Sequence, residues 1–135
     1  MISDLAAYLL SHSTITDIVG QNLWLFRVPQ DGPYPAITLH IIGRPHLHNL
    51  DGRSGYSKTR VQIDCWSNSY KQATDMADAI GDLIDGFTGV MGTTTFGWIA
   101  SDEDTGETHF YEPPADGGDF GLHHLVTDYF CCYFE

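Results

Sequence analysis

After Lys71 the sequence contains no lysine and no arginine. All six basic residues (Arg27, Arg44, Arg53, Lys58, Arg60 and Lys71) precede that point, with five of the eighteen acids; the other thirteen acids lie uncompensated in the second half. Proteins that hold nucleic acid neutralise phosphates with Lys and Arg, so a net charge of −12 argues against that class. It argues equally against docking on an anionic membrane surface. Long apolar runs are also missing: none approaches the roughly 20 residues that span a bilayer. The first five residues, Met1, Ile2, Ser3, Asp4 and Leu5, carry neither a basic segment nor an apolar stretch, so a secretory signal is not expected and synthesis in the cytoplasm is. Cysteine is scarce. Cys65, Cys131 and Cys132 are an odd count with two adjacent, which is no disulfide framework and predicts reduced, mostly buried thiols.

Catalytic signatures are absent as well. The sequence has no Gly-x-Ser-x-Gly elbow and no P-loop or His-Glu-x-x-His motif. Gly52, Gly55, Gly117, Gly118 and Gly121 are scattered as turn glycines rather than gathered as a phosphate cradle. What is present is a globular composition. The chain is 42% hydrophobic and 13% aromatic, which excludes intrinsic disorder. Its 135 residues suit one domain, 1–135, able to bury a core without a metal or disulfide staple.

Periodicity divides the chain into elements. Ser3 is read as the cap of a first helix with Leu5, Ala6, Leu9 and Leu10 as its apolar stripe, and Thr14 as the cap of a short second one that Gly20 ends. Residues 23–26 read as a short strand and 28–35, with three prolines, as a loop. Residues 36–43 alternate as a strand, with Ile37, Leu39 and Ile41 on one side. Residues 44–56 read as a long exposed connection. A second strand, 57–66, sets Thr59, Val61, Ile63 and Cys65 against a polar face of Lys58, Arg60, Gln62 and Asp64, and pairs antiparallel with the first.

Ser69 and Gln72 have capping-box spacing, and Tyr70, Ala73, Ala77, Ile80, Ile84 and Phe87 then recur at helical period up to a stop at Gly86. Asp75, Asp78, Asp82 and Asp85 fall on the opposite side. Asp82 and Asp85 sit at the end the helix dipole disfavours, so something other than helix stability keeps them there. Residues 93–101 form a strand with Phe96, Trp98 and Ala100 on one face. Asp102, Glu103, Asp104 and Glu107 make a solvated acidic turn, residues 108–111 return, residues 113–121 loop, and residues 122–134 close the chain as an aromatic-rich strand. The expected fold is a single α+β domain: a mainly antiparallel sheet with helices packed on one face.

His46/His48 and His123/His124 are the candidate metal ligands, and His40 and His46 have an H-x₅-H separation. No paired cysteines accompany them, so ordinary strand and loop histidines are the expectation. The acidic turn lacks the spacing and following helix of a calcium loop, and Cys65 falls on an apolar strand face, where a thiol is inert. The residues alone therefore point by elimination to a binding or structural role, with no catalytic residue, metal or cofactor.

Several short runs then occur in a particular order. They are Ile18, Val19 and Gly20 before Leu23, Trp24, Leu25 and Phe26; Pro33 through Leu39; Leu50, Asp51 and Gly52; Arg60 through Trp66 leading into Ser69; the helix ending in Asp85, Gly86 and Phe87; Tyr111 and Glu112; and the last strand with Asp128. In this order the chain, from about Leu5 to Phe134, resembles the tail-completion or tail-terminator proteins of long-tailed phages and related gene-transfer particles. It departs from them at His123 and His124, where similar proteins often carry basic residues.

The resemblance implies a structural protein with no enzymatic activity. It would form a homohexameric ring at the head-proximal end of the virion tail, cap the tail tube, stop its growth and present a docking face to the head–tail connector protein. DNA would pass through without specific binding. On that reading Asp75, Asp78, Asp82, Asp85, Asp102, Glu103, Asp104 and Glu107 are the candidate channel lining, and Arg44, His46, His48, Arg53 and Tyr56 mark a loop that contacts a neighbouring subunit or the tube. The alternatives are a head–tail connector subunit and a small metal-dependent enzyme.

Overall fold

The computed structural model describes residues 1–29, 32–114, 118 and 121–135. Two short helices, α1 (Ile2–Leu10) and α2 (Ser13–Val19), precede strands β1 (Leu23–Leu25), β2 (Ala36–Gly43), β3 (His46–Asn49) and β4 (Gly52–Ser67). Helix α3 (Tyr70–Ile84) follows, then β5 (Gly89–Met91), β6 (Thr94–Ser101), β7 (Glu107–Glu112) and β8 (Leu122–Phe134). The strands form one eight-stranded sheet of order β1-β2-β4-β8-β6-β5, with β3 added along β4 and β7 along β8. Every pairing is antiparallel except β1 with β2.

The two long central strands, β4 and β8, run side by side from the Tyr56–Phe134 pair to the Ser67–His123 pair. Each is longer than any of its outer neighbours, so β2 and β3 share one flank and β6 and β7 the other. The strand face carrying Ile37, Leu39, Val61, Ile63, Cys65, Leu125, Tyr129 and Cys131 joins one buried cluster with Leu5 and Leu9 of α1, Ile15 and Val19 of α2, and Ala73, Met76, Ile80 and Ile84 of α3. Helix α3 is capped as its sequence predicts, the Ser69 hydroxyl accepting from the Gln72 amide at 3.3 Å.

Five expectations need correction. Residues 108–111 do not return along the preceding strand: β6 and β7 both pair antiparallel with β8, over 129–134 and 122–127, so β7 carries on in the direction of β6. Ser3 and Thr14 are not caps: α1 begins at Ile2 and α2 at Ser13, their first residues following Met1 and His12, neither of which supplies a side-chain cap bond. Residues 44–56 are not an open connection but mostly the β3–β4 hairpin, closed by the Asn49–Gly52 pair, with Asn49 Oδ1 accepting from the Asp51 amide at 3.0 Å. Gly52 and Gly55 have φ of 118° and 79°, a region only glycine enters without strain.

Phe96 and Trp98 do not share a face. The register shifts between them, so Phe96 is buried while Trp98 is exposed and Ile99 takes the next core position. Asp102 is not solvated: it is 7% exposed and ion-paired with Arg60. The predicted loop at 113–121 lies largely outside the described residues.

Candidate functional site

Helix α3 presents two unlike surfaces. Its Ala73, Met76, Ile80 and Ile84 go to the core, so the 3.6-residue period turns Asp78 and Asp82 outward. Opposite, between two strands that follow one another along β8, lies the β6–β7 connection. Between them lies an open groove of about 880 Å³, walled by Asp78, Asp82 and Asp85 on one side and Ser101 and Glu107 on the other, with Tyr129 at its base. Asp85 caps the helix from outside it, and its carboxylate accepts from the Ser101 amide at 3.0 Å and the Ser101 hydroxyl at 2.9 Å. That bond explains an acid at the unfavourable helix end: it pins α3 to β6.

Among the described residues, none of Asp78, Asp82, Asp85 and Glu107 pairs with a lysine or arginine. Tyr129 is 4% exposed, and its hydroxyl lies beside Gly81 with no hydrogen bond to any described residue. Burial, with the charges of Asp85 and Glu107, raises the phenol above its ordinary value. It stays a neutral hydroxyl with a free donor.

The opposite sheet face carries a polar network, within which His40 Nδ1, His124 Nε2 and Asp128 Oδ1 are buried without a hydrogen-bond partner among the described residues. Arg60 donates to Asp128 through Nε (3.0 Å) and Nη2 (2.8 Å), and to Asp102 through Nη2 (2.6 Å). The Asp102 carboxyl is held below its ordinary value first by the Asp104 amide and also by the Arg60 charge, against its partial burial. Lys58 lies over the Phe130 ring at 4.6 Å. Asp64, 4% exposed, accepts from Gln62 at 2.8 Å and from Thr38 at 3.4 Å. Trp66 donates to Thr38 and stacks on His124 with ring centroids 3.6 Å apart. His124 Nε2 comes within 3.3 Å of Asp64 Oδ2 without hydrogen-bond alignment. This network ties β2, β4 and β8 together.

The β3–β4 hairpin is a third feature. β8 ends opposite Tyr56 and the Glu135 amide still bonds the Gly55 carbonyl at 2.6 Å, so residues 52–54 and their β3 partners project beyond the central strands. Leu50 at the tip is fully exposed and Leu47 nearly half so. Arg44, His48 and Arg53 are exposed, and neither arginine has an ion-pair partner among the described residues. Tyr56 and His46 are used internally, Tyr56 against Phe134 with centroids 5.0 Å apart and His46 Nδ1 2.6 Å from Glu135 Oε1.

The family description "Tail completion protein gp17" matches residues 3–108, more than three-quarters of the chain, from α1 into β7. The chain belongs to this tail-completion family. Its setting is accordingly the virion tail, and its role there is structural. No curated protein sequence matches the chain. Among solved structures, one chain described as "Virion of native gene transfer agent (GTA) particle" superimposes with a TM-score of 0.61 at 10% identity, over 97% of this chain and 92% of that one. At that identity the likeness is one of fold.

Within this tail-completion fold the sequence-predicted residues separate. Asp78, Asp82, Asp85 and Glu107 meet in the groove. Asp75 stands apart, paired with Lys71 at 2.8 Å, and Asp102 is held by Arg60. Glu103 and Asp104 are exposed at the β6–β7 turn. The histidine pairs do not converge. His123 hydrogen-bonds His109 at 3.0 Å beside Tyr70 and Tyr111, whereas His124 stacks on Trp66, as adjacent strand residues point to opposite faces. Among the described residues no three His, Cys, Asp or Glu side chains gather as metal ligands. Tyr129 and Ser101 complete the groove but carry no motif; only the charge of their neighbours marked the region.

Proposed function

We propose that the chain is the tail terminator of its particle: a subunit of a hexameric ring that caps the tail tube, ends its polymerisation and offers the head–tail connector a docking face while DNA passes through. The family match over residues 3–108 carries this reading. In it the three helices lie together on one sheet face, and the Arg60–Asp128 face is left free to meet a neighbour or the tube. Of the eight candidate channel acids, Asp75 and Asp102 already have cationic partners. Repulsion of passing phosphates therefore rests on Glu103, Asp104 and the four groove carboxylates. The hairpin with Arg44, His48 and Arg53 serves as the contact arm. It reaches outward, and its exposed leucines are what a buried interface would cover.

Imaging of intact particles, with the subunit tagged at Glu135, tests the proposal. A six-fold ring at the head-proximal end of the tube is expected. Tag density in the connector instead would make the chain a connector subunit, and density elsewhere would remove both roles.

A further inference from the structure

We infer that the β3–β4 hairpin of one copy seats in the acidic groove of the next, with Arg53 against the carboxylates of Asp78, Asp82 and Glu107 and the tip backbone over the Tyr129 hydroxyl. The inference rests on the ring reading and names the contact that would build the ring.

Four carboxylates without a cationic partner among the described residues, Asp85 of them bonded to Ser101, line the groove, and the chain has few cations to offer. Arg60 and Lys71 are bound to acids, and Lys58 lies against aromatic rings. Arg27, Arg44 and Arg53 have no ion-pair partner among the described residues, and of these Arg44 and Arg53 flank one projecting arm. A guanidinium has five donors and can bond two carboxylates at once through different edges, and Asp78 and Asp82, one helical turn apart, present theirs side by side.

Tyr129 adds a second, independent feature. The Tyr129 side chain is 4% exposed, and its hydroxyl, bonded to no described residue, opens on the groove floor, where it can donate to a backbone carbonyl. A hairpin tip supplies such carbonyls at Leu50 and Asp51, where the turn leaves the ladder. A chain cannot fill its own groove. Tyr129 pairs with Val61, and Arg53 stands eight residues further along β4, about 26 Å away at about 3.3 Å per residue. The occupant is thus a second copy, and a contact between unlike surfaces repeated in one direction builds a ring where the rotation per copy closes on itself.

Cysteine cross-linking in assembled particles tests this. The three native cysteines are buried and unpaired, so a subunit carrying Leu50→Cys and Asp82→Cys has two exposed thiols. Oxidation should give a non-reducing ladder ending at the ring's full subunit number, and neither single variant should give more than dimers. In parallel, Arg53→Glu should lower the yield of complete tails at least about tenfold, because it sets like charges against each other, and Asp82→Arg in the same chain should restore part of it. Rings present without the ladder, or an Arg53→Glu subunit assembling at full yield, would overturn the contact and leave the tail-terminator reading standing. Particles with no ring of this chain would overturn both.

Discussion

Replacing Ile80 with alanine separates what α3 does for the fold from what it does at the surface. Ile80 is 1% exposed and packs in the cluster that joins α3 to the sheet. The substitution removes three carbons, worth about 2.4 kcal/mol of transfer free energy at about 0.8 kcal/mol each. The long strands on which α3 rests cannot collapse freely into the void, so a cavity penalty adds to this. The expected loss is about 3–4 kcal/mol, inside the range of about 2–5 seen for such truncations. Set against a total stability of about 5–15 kcal/mol, that is a large fraction. The melting temperature should fall by roughly 10–15 °C for a domain of this size. Urea unfolding followed by far-UV circular dichroism measures it, the midpoint shifting while the slope stays unchanged. Asp82→Asn, two residues along but facing the groove, should change stability by no more than about 0.5 kcal/mol. A loss below about 1 kcal/mol for Ile80→Ala, or an equal loss for both variants, would refute the assignment of the two helix faces.

Three other outcomes follow from the same structure. Ser69→Ala should cost about 1 kcal/mol in urea unfolding, because the Gln72 amide loses its capping acceptor. The Asp102 carboxyl titrates below its ordinary 3.8 when folded. Its stabilisation is therefore complete above the unfolded value and is lost as pH falls through the lower, folded one. Wild type minus Asp102→Asn, compared by thermal melts from pH 7 to pH 2, should be flat down to about pH 4 and shrink only below it; a difference that disappears between pH 7 and 5 would contradict the pairing. Burial pushes the Cys131 thiol up to about 12 and that of Cys65 higher still, so neither should react with a thiol reagent at pH 8 until urea unfolds the chain.

What could be read before folding was whatever one segment decides alone. Helix α3 was legible because Ser69, Gln72 and the apolar period agree within sixteen residues. β2 was legible because Ile37, Leu39 and Ile41 alternate with polar residues between Pro35 and Gly43, and β8 because it is a long aromatic-rich run that follows Gly121. The β3–β4 hairpin was not, because His46, Leu47, His48 and Asn49 are largely exposed and show no apolar alternation to contrast with the loop around them. Its pairing is fixed by a turn and two glycines instead. Trp98 was placed on the wrong face because one shifted register position between Phe96 and Trp98 inverts all that follows. Asp102 looked solvated because the arginine that buries it stands 42 residues earlier in sequence. The groove was half legible: the helix period puts Asp78 and Asp82 together, but only the pairing of β6 and β7 end to end along β8 brings in Glu107, and only the central position of β8 puts Tyr129 beneath them.

The segregation of charge along the chain then has a physical consequence for assembly. Subunits of net charge −12 repel one another on approach, so a ring of them needs contacts where the few free bases meet acids directly. The fold supplies that arrangement by holding Arg44 and Arg53 on a projecting arm and four carboxylates in a groove about 26 Å away along the sheet. The separation prevents internal neutralisation and keeps both surfaces available to a partner. One guanidinium cannot neutralise four carboxylates. A groove occupied by Arg53 therefore stays net negative, and with Glu103 and Asp104 exposed beside it the same acids that receive a neighbour still repel phosphate. Subunit attraction and a DNA-repelling surface are thus compatible demands on one cluster, and an excess of acid over base is what allows it to meet both.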